Sequence, residues 1–476
     1  MSLADRLRDE RAQRLDEGRS VALAKLRARG AWTARERIDH LVDPGSFLEY
    51  GMLAEPRPDG LEGAADGIVT GLATVDGRSV AVVSFDYSVF GGTQGTVGHA
   101  KLDAILERAL HHRLPVVIFN EGGGTRAQEL AMLRRDTQSF VLLSRLSAVV
   151  PVACAVLGRA FAGNANIAGL CNFVVATRSA AIGLGGPPLV EAAFGQKLTP
   201  EEIGPVDVHA KAGAVDVVVD DEEAAVDAIR RYLDCFGPRR EGVEPGPPEA
   251  LRELVPENPR QAYDMTKVLA ALADKDSVLE IRPKYAASVV TALGRLGGRT
   301  VAFIASQPKV KAGALDGEGA DKIAQFIRFA DAFDFPIVFL VDTPGFMVGP
   351  AVEATNLVRR SAEVLHALAR ADVPVLTVLV RKCYGFAAQA LGGQPFMPVI
   401  TLVWPTVEFG AMGFEGASRL LNADESASRD DHRDSAAEML EEHGAWAMAR
   451  RFFIDDVIDP AETRPKLIQA LGAVEG

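Results

Sequence analysis

The sequence predicts an α/β protein made of two tandem copies of one unit, each a parallel sheet with crossover helices. Three observations carry this. Anchors recur in register: Gly77 with Gly298, Gly92 with Gly313, Lys101 with Lys322, Pro115 with Pro336 and Gly124 with Gly345 share one offset of 221 residues (336 − 115). Within each copy, short apolar runs lead into small-residue turns and then helical stretches, the pattern of buried parallel strands. Residues 237–250 are too rich in Pro and Gly for regular structure and read as a linker. They divide an N-terminal unit, 1–236, from a C-terminal unit, 251–476.

Taken in order, residues 1–42 read as helix, with Leu3, Leu7, Leu15, Leu23, Leu26, Ile38 and Leu41 set among charged residues. Thr33 and Glu36 have capping-box spacing. Asp43-Pro44-Gly45 breaks the helix and Ser46–Glu49 starts an extended piece, echoed at Asp274–Glu280 ahead of the second copy. Strands are expected at Ile68–Ala73, Val80–Phe85, Pro115–Asn120 and Pro151–Leu157, with a helix over Val97–Leu110 and turns at Glu121–Gly124 and Gly158–Ala165. The second copy repeats this: strands Val301–Ser306, Pro336–Asp342 and Pro374–Val380, helices Asp321–Phe333 and Ala354–Arg370, turns Thr343–Gly349 and Arg381–Ala388. Asn422–Arg433 is polar and reads as a solvated loop, Glu438–Phe453 as helix, and Asp456–Arg464 leads into a last short helix.

Length and composition agree with two full cores: 476 residues, 48% hydrophobic and 24% charged. No apolar run reaches membrane-spanning length, and Met1–Glu17 is charged rather than leader-like, so a cytoplasmic chain without membrane contact is expected. A net charge of −13 disfavours nucleic acid as a partner. Cys154, Cys171, Cys235 and Cys383 form no C-x-x-C pair and have no histidines at ligand spacing beside them, so no metal is expected. They read as small buried hydrophobes.

In parallel sheets, ligands bind beyond the carboxyl ends of strands, near helix N-termini. Gly122-Gly123-Gly124 and Ala162-Gly163 stand at such ends in the first copy, Thr343-Pro344-Gly345 and Tyr384-Gly385 in the second. Turns of small residues let a ligand oxygen approach main-chain N–H donors, as an oxyanion hole requires. The sequence has no G-x-S-x-G, H-E-x-x-H or G-x-x-x-x-G-K-[ST] and no Cys/His pair of catalytic appearance; His111-His112 read as surface residues. Backbone donors without a side-chain base suggest that the substrate or a carried cofactor supplies the acid–base group.

The residues carry a family resemblance along essentially the whole chain. The matching stretches are Leu26–Gly30 with Thr33–Ile38, Asp43–Phe47, Asp86–Gly92, Gly122–Arg126 and Gly186–Val190. They continue with Gln307–Val310 and Gly313, Phe326–Phe329 with Asp331–Phe333, Asp342 with Pro344–Phe346, Trp404–Thr406, Met412-Gly413 and Asp455–Pro460. With these the chain resembles the carboxyltransferase (β) subunit of biotin-dependent acyl-CoA carboxylases, the propionyl-CoA and methylcrotonyl-CoA carboxylase β family. The resemblance implies two tandem crotonase-like (ClpP/crotonase) lobes, the first on the acyl-CoA side and the second on the biotin side. It implies a homohexamer in which lobe one of one subunit faces lobe two of its neighbour. It also implies carboxybiotin, borne on a separate carrier protein, as cofactor, with biotin carboxylase and biotin carboxyl carrier subunits as partners.

Carried over position by position, the resemblance puts the hole for the thioester oxygen at Ala162 and Gly163, and that for biotin at Phe386 and Ala387 beside Gly385. Gly122, Gly123, Gly124, Arg126 and Gln389 fall on the substrate side. The family usually has Gly-Gly where this chain has Ala162-Gly163 and Gly385-Phe386, and propionyl-type members commonly have Asp at the position of Gln389. Pro151 and Pro374 stand 223 apart (374 − 151), which sets Gly163 opposite Phe386. The expected activity is transfer of CO₂ from carboxybiotin to the α-carbon of an acyl-CoA. A biotin-coupled acyl-CoA decarboxylase subunit and a non-catalytic partner of an active paralogue are the alternatives.

Overall fold

Two-residue turns decide how each sheet begins. Asp76-Gly77 and Gly297-Gly298 all have left-handed φ, between 50° and 79°, the twist that suits a tight hairpin. They join β2 (Ile68–Val75) to β3 (Arg78–Phe85), and β10 (Val289–Leu296) to β11 (Arg299–Ser306), as antiparallel pairs. Each sheet is therefore mixed rather than wholly parallel, because so short a connection cannot reverse the chain twice. The computed structural model describes residues 1–57, 61–132, 138–413 and 441–474; the expected loop Asn422–Arg433 lies outside them.

The chain falls into two compact units, Met1–Phe236 and Gly237–Gly476. In the first, the sheet runs β1 (Leu48–Tyr50), β2, β3, β4 (Val116–Gly122), β5 (Val152–Phe161), β6 (Phe173–Thr177), β8 (Val217–Val219), with β7 (Ala181–Gly183) on β5. In the second it runs β9 (Leu279–Ile281), β10, β11, β12 (Ile337–Thr343), β13 (Val375–Tyr384), β14 (Ile400–Val403), β16 (Asp456–Val457), with β15 (Glu408–Gly410) on β13. The two topologies are the same. Residues 237–250 pack onto the second unit: Gly246 N donates to Ala273 O, and Pro245 bridges Asp274.

The repeat extends to backbone conformation. Phe90, Gly91 and Gly92 have left-handed φ, as do Lys311, Ala312 and Gly313, at the same 221-residue offset (311 − 90). Arg113 and Asp334, just beyond the helices Thr96–His112 and Gly317–Ala332, share it too. The second helix begins earlier than its apolar spacing suggests, because Asp316 accepts a hydrogen bond from Gly319 N and caps a first turn that holds two glycines. The next helix starts at Leu357 rather than Ala354, since Asn356 is left-handed and separates it from the turn Pro350–Glu353. Central strand residues such as Val116–Phe119 and Ile337–Leu340 are fully buried. Each apolar side chain so buried contributes roughly 1.5–3 kcal/mol.

Lys101 and Lys322 explain their place in the repeat. Both tie the chain ahead of a strand, Lys322 buried and Lys101 half-buried: Lys101 Nζ donates to the carbonyls of Ala65 and Ile68, and Lys322 Nζ to those of Tyr285 and Val289. Burial lowers the Lys101 amine to about 8. Between that value and the ordinary lysine value of about 10.4, the folded chain holds fewer protons than the unfolded one, so this group's contribution to stability rises with pH. Compared with a Lys101→Met variant, the parent is expected to gain stability from pH 8 to 10; urea titrations of both across that range check it.

Candidate active site

The strand ends that deliver the site are bulged at equivalent places. The β4–β5 register shifts between Asn120 and Gly122, and the β12–β13 register between Val341 and Thr343. Past these shifts, β5 and β13 continue to Phe161 and Tyr384 by pairing with β7 and β15. The expected turns at Gly158 and Arg381 are thus strand, and the true turns come later. Helices Gly163–Gly169 and Gly385–Ala390 start immediately after.

In the first unit, Ala162 adopts φ 50°, ψ −119°, a conformation that costs a residue with a Cβ roughly 1–2 kcal/mol. Its N–H donates to Gly183 O at 2.9 Å, so it is not available to a ligand. The first-turn N–H groups of Gly163 and Asn164 lack intrahelical acceptors. Of the expected pair, Ala162 and Gly163, the first thus has its N–H engaged within the chain, and by the repeat offset Gly163 and Asn164 stand opposite Phe386 and Ala387. Ala162→Gly should raise stability by up to about 1 kcal/mol, the relief of strain being partly offset by glycine's unfolded-state entropy; a shift in the urea midpoint reads it.

The glycine run divides by function. A Cβ on Gly122 would lie 2.1 Å from Gly92 O, and one on Gly124 2.6 Å from the Ala162 Cβ, so both permit close packing. Gly123 is the exposed member. Arg126 is buried and does not face a substrate: its guanidinium pairs with Asp66 and Glu129, at 2.5 and 2.6 Å, over the Phe90 ring. It holds the Gly92 and Gly124 loops together.

A carboxamide cluster not identified from the sequence braces this turn. Asn164 Oδ1 accepts from Gly124 N at 3.0 Å and from Gln94 Nε2 at 3.2 Å; Asn164 Nδ2 donates to Asn120 Oδ1, and Asn120 Nδ2 to Asn164 O. The signal was an Asn closing the apolar run Val116–Phe119. By the repeat offsets, the second unit has Leu315, Val341 and Ala387 at these positions, and there the Gly345 N–H, counterpart of that of Gly124, donates instead to the Thr343 hydroxyl at 3.2 Å.

In the second unit Gly385, like Ala162, has positive φ, at 61°. Phe386 does not have positive φ, so its side chain causes no backbone strain and its N–H stays in the first turn with that of Ala387. The Phe386 ring is 44% exposed and leans on Phe346, with centroids 5.8 Å apart. Gln389, one turn on, is exposed. Phe386 and Gln389 form the rim of a cavity of about 580 Å³ whose floor includes the buried Thr377 and Thr401.

Beneath the turn, Asp342 is fully buried and accepts from Arg381 Nε at 3.1 Å and from the Lys382 N–H at 3.1 Å. Arg381 also donates to the carbonyls of Pro256, Asn258 and Gln261. The equivalent acid in the first unit, Glu121, pairs instead with Arg37 at 2.9 Å, and Gly158 stands where Arg381 would. Tyr384 donates to Glu408, and burial pushes its phenol up. Burial also pushes the Cys383 thiol up to about 12. Among the described residues no cluster of His, Cys, Asp and Glu could hold a metal, and no helix is long and apolar enough to cross a membrane.

Residues 25–475 match the carboxyl transferase domain family. The propionyl-CoA carboxylase carboxyltransferase subunit of Haloferax mediterranei is 34% identical over 98% of this chain and 95% of its own. The methylmalonyl-CoA carboxyltransferase 12S subunit of Propionibacterium freudenreichii is also 34% identical, over 97% and 93%. Among solved structures, a single-chain, multi-domain long-chain acyl-CoA carboxylase superposes with a TM-score of 0.94 at 40% identity, covering 99% of this chain. This chain spans 49% of that longer one. The transcarboxylase 12S hexamer with methylmalonyl-CoA superposes at 0.90 with 32% identity, over 99% and 95%. Because the match runs through both repeated units and not one alone, the chain belongs to the carboxyl transferase family and is a carboxyltransferase on two tandem crotonase-like lobes.

Proposed function

We propose that this enzyme moves CO₂ from carboxybiotin to the α-carbon of an acyl-CoA, with the enolate oxygen held by main-chain donors. The observation that carries the reading is the turn at Gly385. Gly385 has positive φ, and the N–H groups of Phe386 and Ala387 that follow lie in the helix's first turn, without intrahelical acceptors, beside a cavity lined by Gly385 and Phe386. The turn fits a ureido oxygen, which needs donors and no counter-charge. Bound there, carboxybiotin would supply the carboxyl group and, after decarboxylation, a nitrogen able to take the α-proton. In the first unit, the N–H groups of Gly163 and Asn164 would hold the thioester oxygen while the Asn120–Asn164–Gln94 cluster fixes their direction. Each well-aimed donor is worth roughly 3–4 kcal/mol in the transition state.

Support for biotin and for an acyl-CoA comes from the relatives, whose names are those of biotin-dependent carboxylase subunits and a methylmalonyl-CoA carboxyltransferase. The carrier and the biotin carboxylase are proposed as separate partner subunits. The purified chain, given carboxyl-labelled methylmalonyl-CoA or malonyl-CoA and free biotin, is expected to release label from the thioester in a biotin-dependent way. Label retained with and without biotin would count against the reading.

A hexamer is proposed as the working state, since the transcarboxylase relative is one. Sedimentation velocity at assay concentration should give a species of about six chains, and a fully active monomer would refute it.

A further inference from the structure

In both units one buried acid faces a bulge in the neighbouring strand. Between the pairs Asn120–Val156 and Gly122–Ala160, Glu121 alone stands across from Leu157, Gly158 and Arg159. Between Val341–Leu379 and Thr343–Cys383, Asp342 stands across from Val380, Arg381 and Lys382. A bulge re-aims the strand that follows it, and each of these leads into the turn that carries the site. In the second unit the cation for the acid, Arg381, belongs to the bulge itself. In the first unit Gly158 holds that place, and a Cβ there would lie 2.4 Å from Glu121 Oε1. The cation comes instead from Arg37 on the helix Ala34–Leu41, whose Nη2 donates to Glu121 Oε2 at 2.9 Å. Arg37 and Glu121 are 1% and 3% exposed.

We propose that Arg37 is a positioning residue for carboxyl transfer: through Glu121 it fixes the course of β4 at the bulge, and with it the direction of the Gly163 and Asn164 N–H groups. This rests on the carboxyltransferase reading above. The link is contiguous. On one side Glu121 is joined to Asn120, whose carboxamide both donates to Asn164 O and accepts from Asn164 Nδ2. On the other it is joined to Gly122, which packs against the Gly92 carbonyl. The Arg37 guanidinium also donates to Glu222, from Nε at 2.8 Å and from Nη2 at 3.1 Å. It thus bridges two carboxylates with a planar fork, which a lysine's point charge does not reproduce. A buried ion pair adds little stability over an apolar pair of the same shape; what this one adds is a fixed place for Glu121.

The test uses the reconstituted holoenzyme and reads kcat and KM for the acyl-CoA it carboxylates fastest. It also reads loss of CO₂ from the carboxybiotin carrier with no acyl-CoA present. Arg37→Lys keeps the buried charge, and with it the fold, but loses the fork. Its kcat should fall about tenfold, while KM for the acyl-CoA and CO₂ loss from the carrier stay within about twofold of the parent. Arg37→Met should lower kcat by about a hundredfold; should it not fold, Arg37→Lys decides alone. Glu222→Gln still accepts from Arg37 and leaves the pair with Glu121 intact, so its kcat should stay within about twofold of the parent. A parental kcat in Arg37→Lys overturns the proposal. So does a loss shared equally by transfer and by CO₂ release, or an equal loss in Glu222→Gln, since either marks a merely structural clamp. If the parent carboxylates no acyl-CoA, the carboxyltransferase reading fails, and hydrogen exchange of the full chain decides whether Arg37 holds the turn. Faster exchange of Ala162–Leu170 in Arg37→Lys, with Gly385–Ala390 unchanged, supports it; unchanged exchange of both overturns it.

Discussion

Phe386→Pro is expected to lower carboxyl transfer by roughly 10²–10³-fold, the loss of one oxyanion-type donor. The substitution deletes the second N–H of the Gly385–Ala390 helix. Proline is tolerated sterically in a helix's first turn, where no intrahelical acceptor waits for that N–H, so the fold should survive. Phe386→Ala and Phe386→Gly keep the N–H and lose only the ring. Because the ring is half-exposed and rests on Phe346, trimming it opens the rim, and turnover with free biotin as acceptor should hold or rise. Steady-state rates for the three variants separate the two effects. Equal losses in all of them would mean that the ring, not the N–H, carries the function. A Phe386→Gly enzyme no faster than the parent would show that the ring is no obstruction.

Asp342→Asn should destabilise the chain by about 3–5 kcal/mol, as breaking one side of a buried ion pair does. The carboxylate sits with Arg381 and Lys382, at 3.1 and 3.4 Å. Losing it leaves two buried cations without their counter-charge. The new amide can satisfy either the Lys382 N–H or Arg381 Nε only through its one oxygen, so its NH2 group is set against a donor. Activity should therefore fall alongside the urea midpoint. Glu201→Ala removes the exposed partner of Arg159 and should change stability by no more than about 0.5 kcal/mol. A midpoint for Asp342→Asn close to that control would show that the pair is not holding the second unit.

Much of this was legible because the repeat is written in residues with one physical job. Gly92 and Gly313 recur because a Cβ at either would strike the carbonyl at the end of the next strand, Glu121 O or Asp342 O. Lys101 and Lys322 recur because each satisfies buried carbonyls of Ile68 and Val289, positions in the same register. The mixed sheet was less legible, although Asp76-Gly77 is a hairpin signal, because the apolar strands beside it are two-face buried like parallel ones. The strand ends were missed for a tertiary reason: only pairing with β7 and β15 carries β5 and β13 past the bulge.

The site was legible as a place more than as a set of atoms. Strand, small residue and helix marked both turns, but the engagement of the Ala162 N–H by Gly183 depends on a strand some twenty residues later. Arg126 shows the same limit. Its motif resemblance put it toward substrate, and only burial beside Asp66 and Glu129 reveals a bracing role. The source of the cation beside each buried acid was likewise hidden, since Arg37 and Arg381 come from unrelated positions in the two copies.

If the proposed function holds, this chain itself transfers the carboxyl group. A single-turnover experiment tests it directly: a carrier bearing ¹³C-carboxybiotin is mixed with the purified chain and an acyl-CoA, and the label is followed by NMR. Label should appear in a new carboxyl on the acyl α-carbon as it leaves biotin, with the rate falling in Phe386→Pro. Label that stays on biotin, or leaves only as bicarbonate whichever acyl-CoA is supplied, would contradict it.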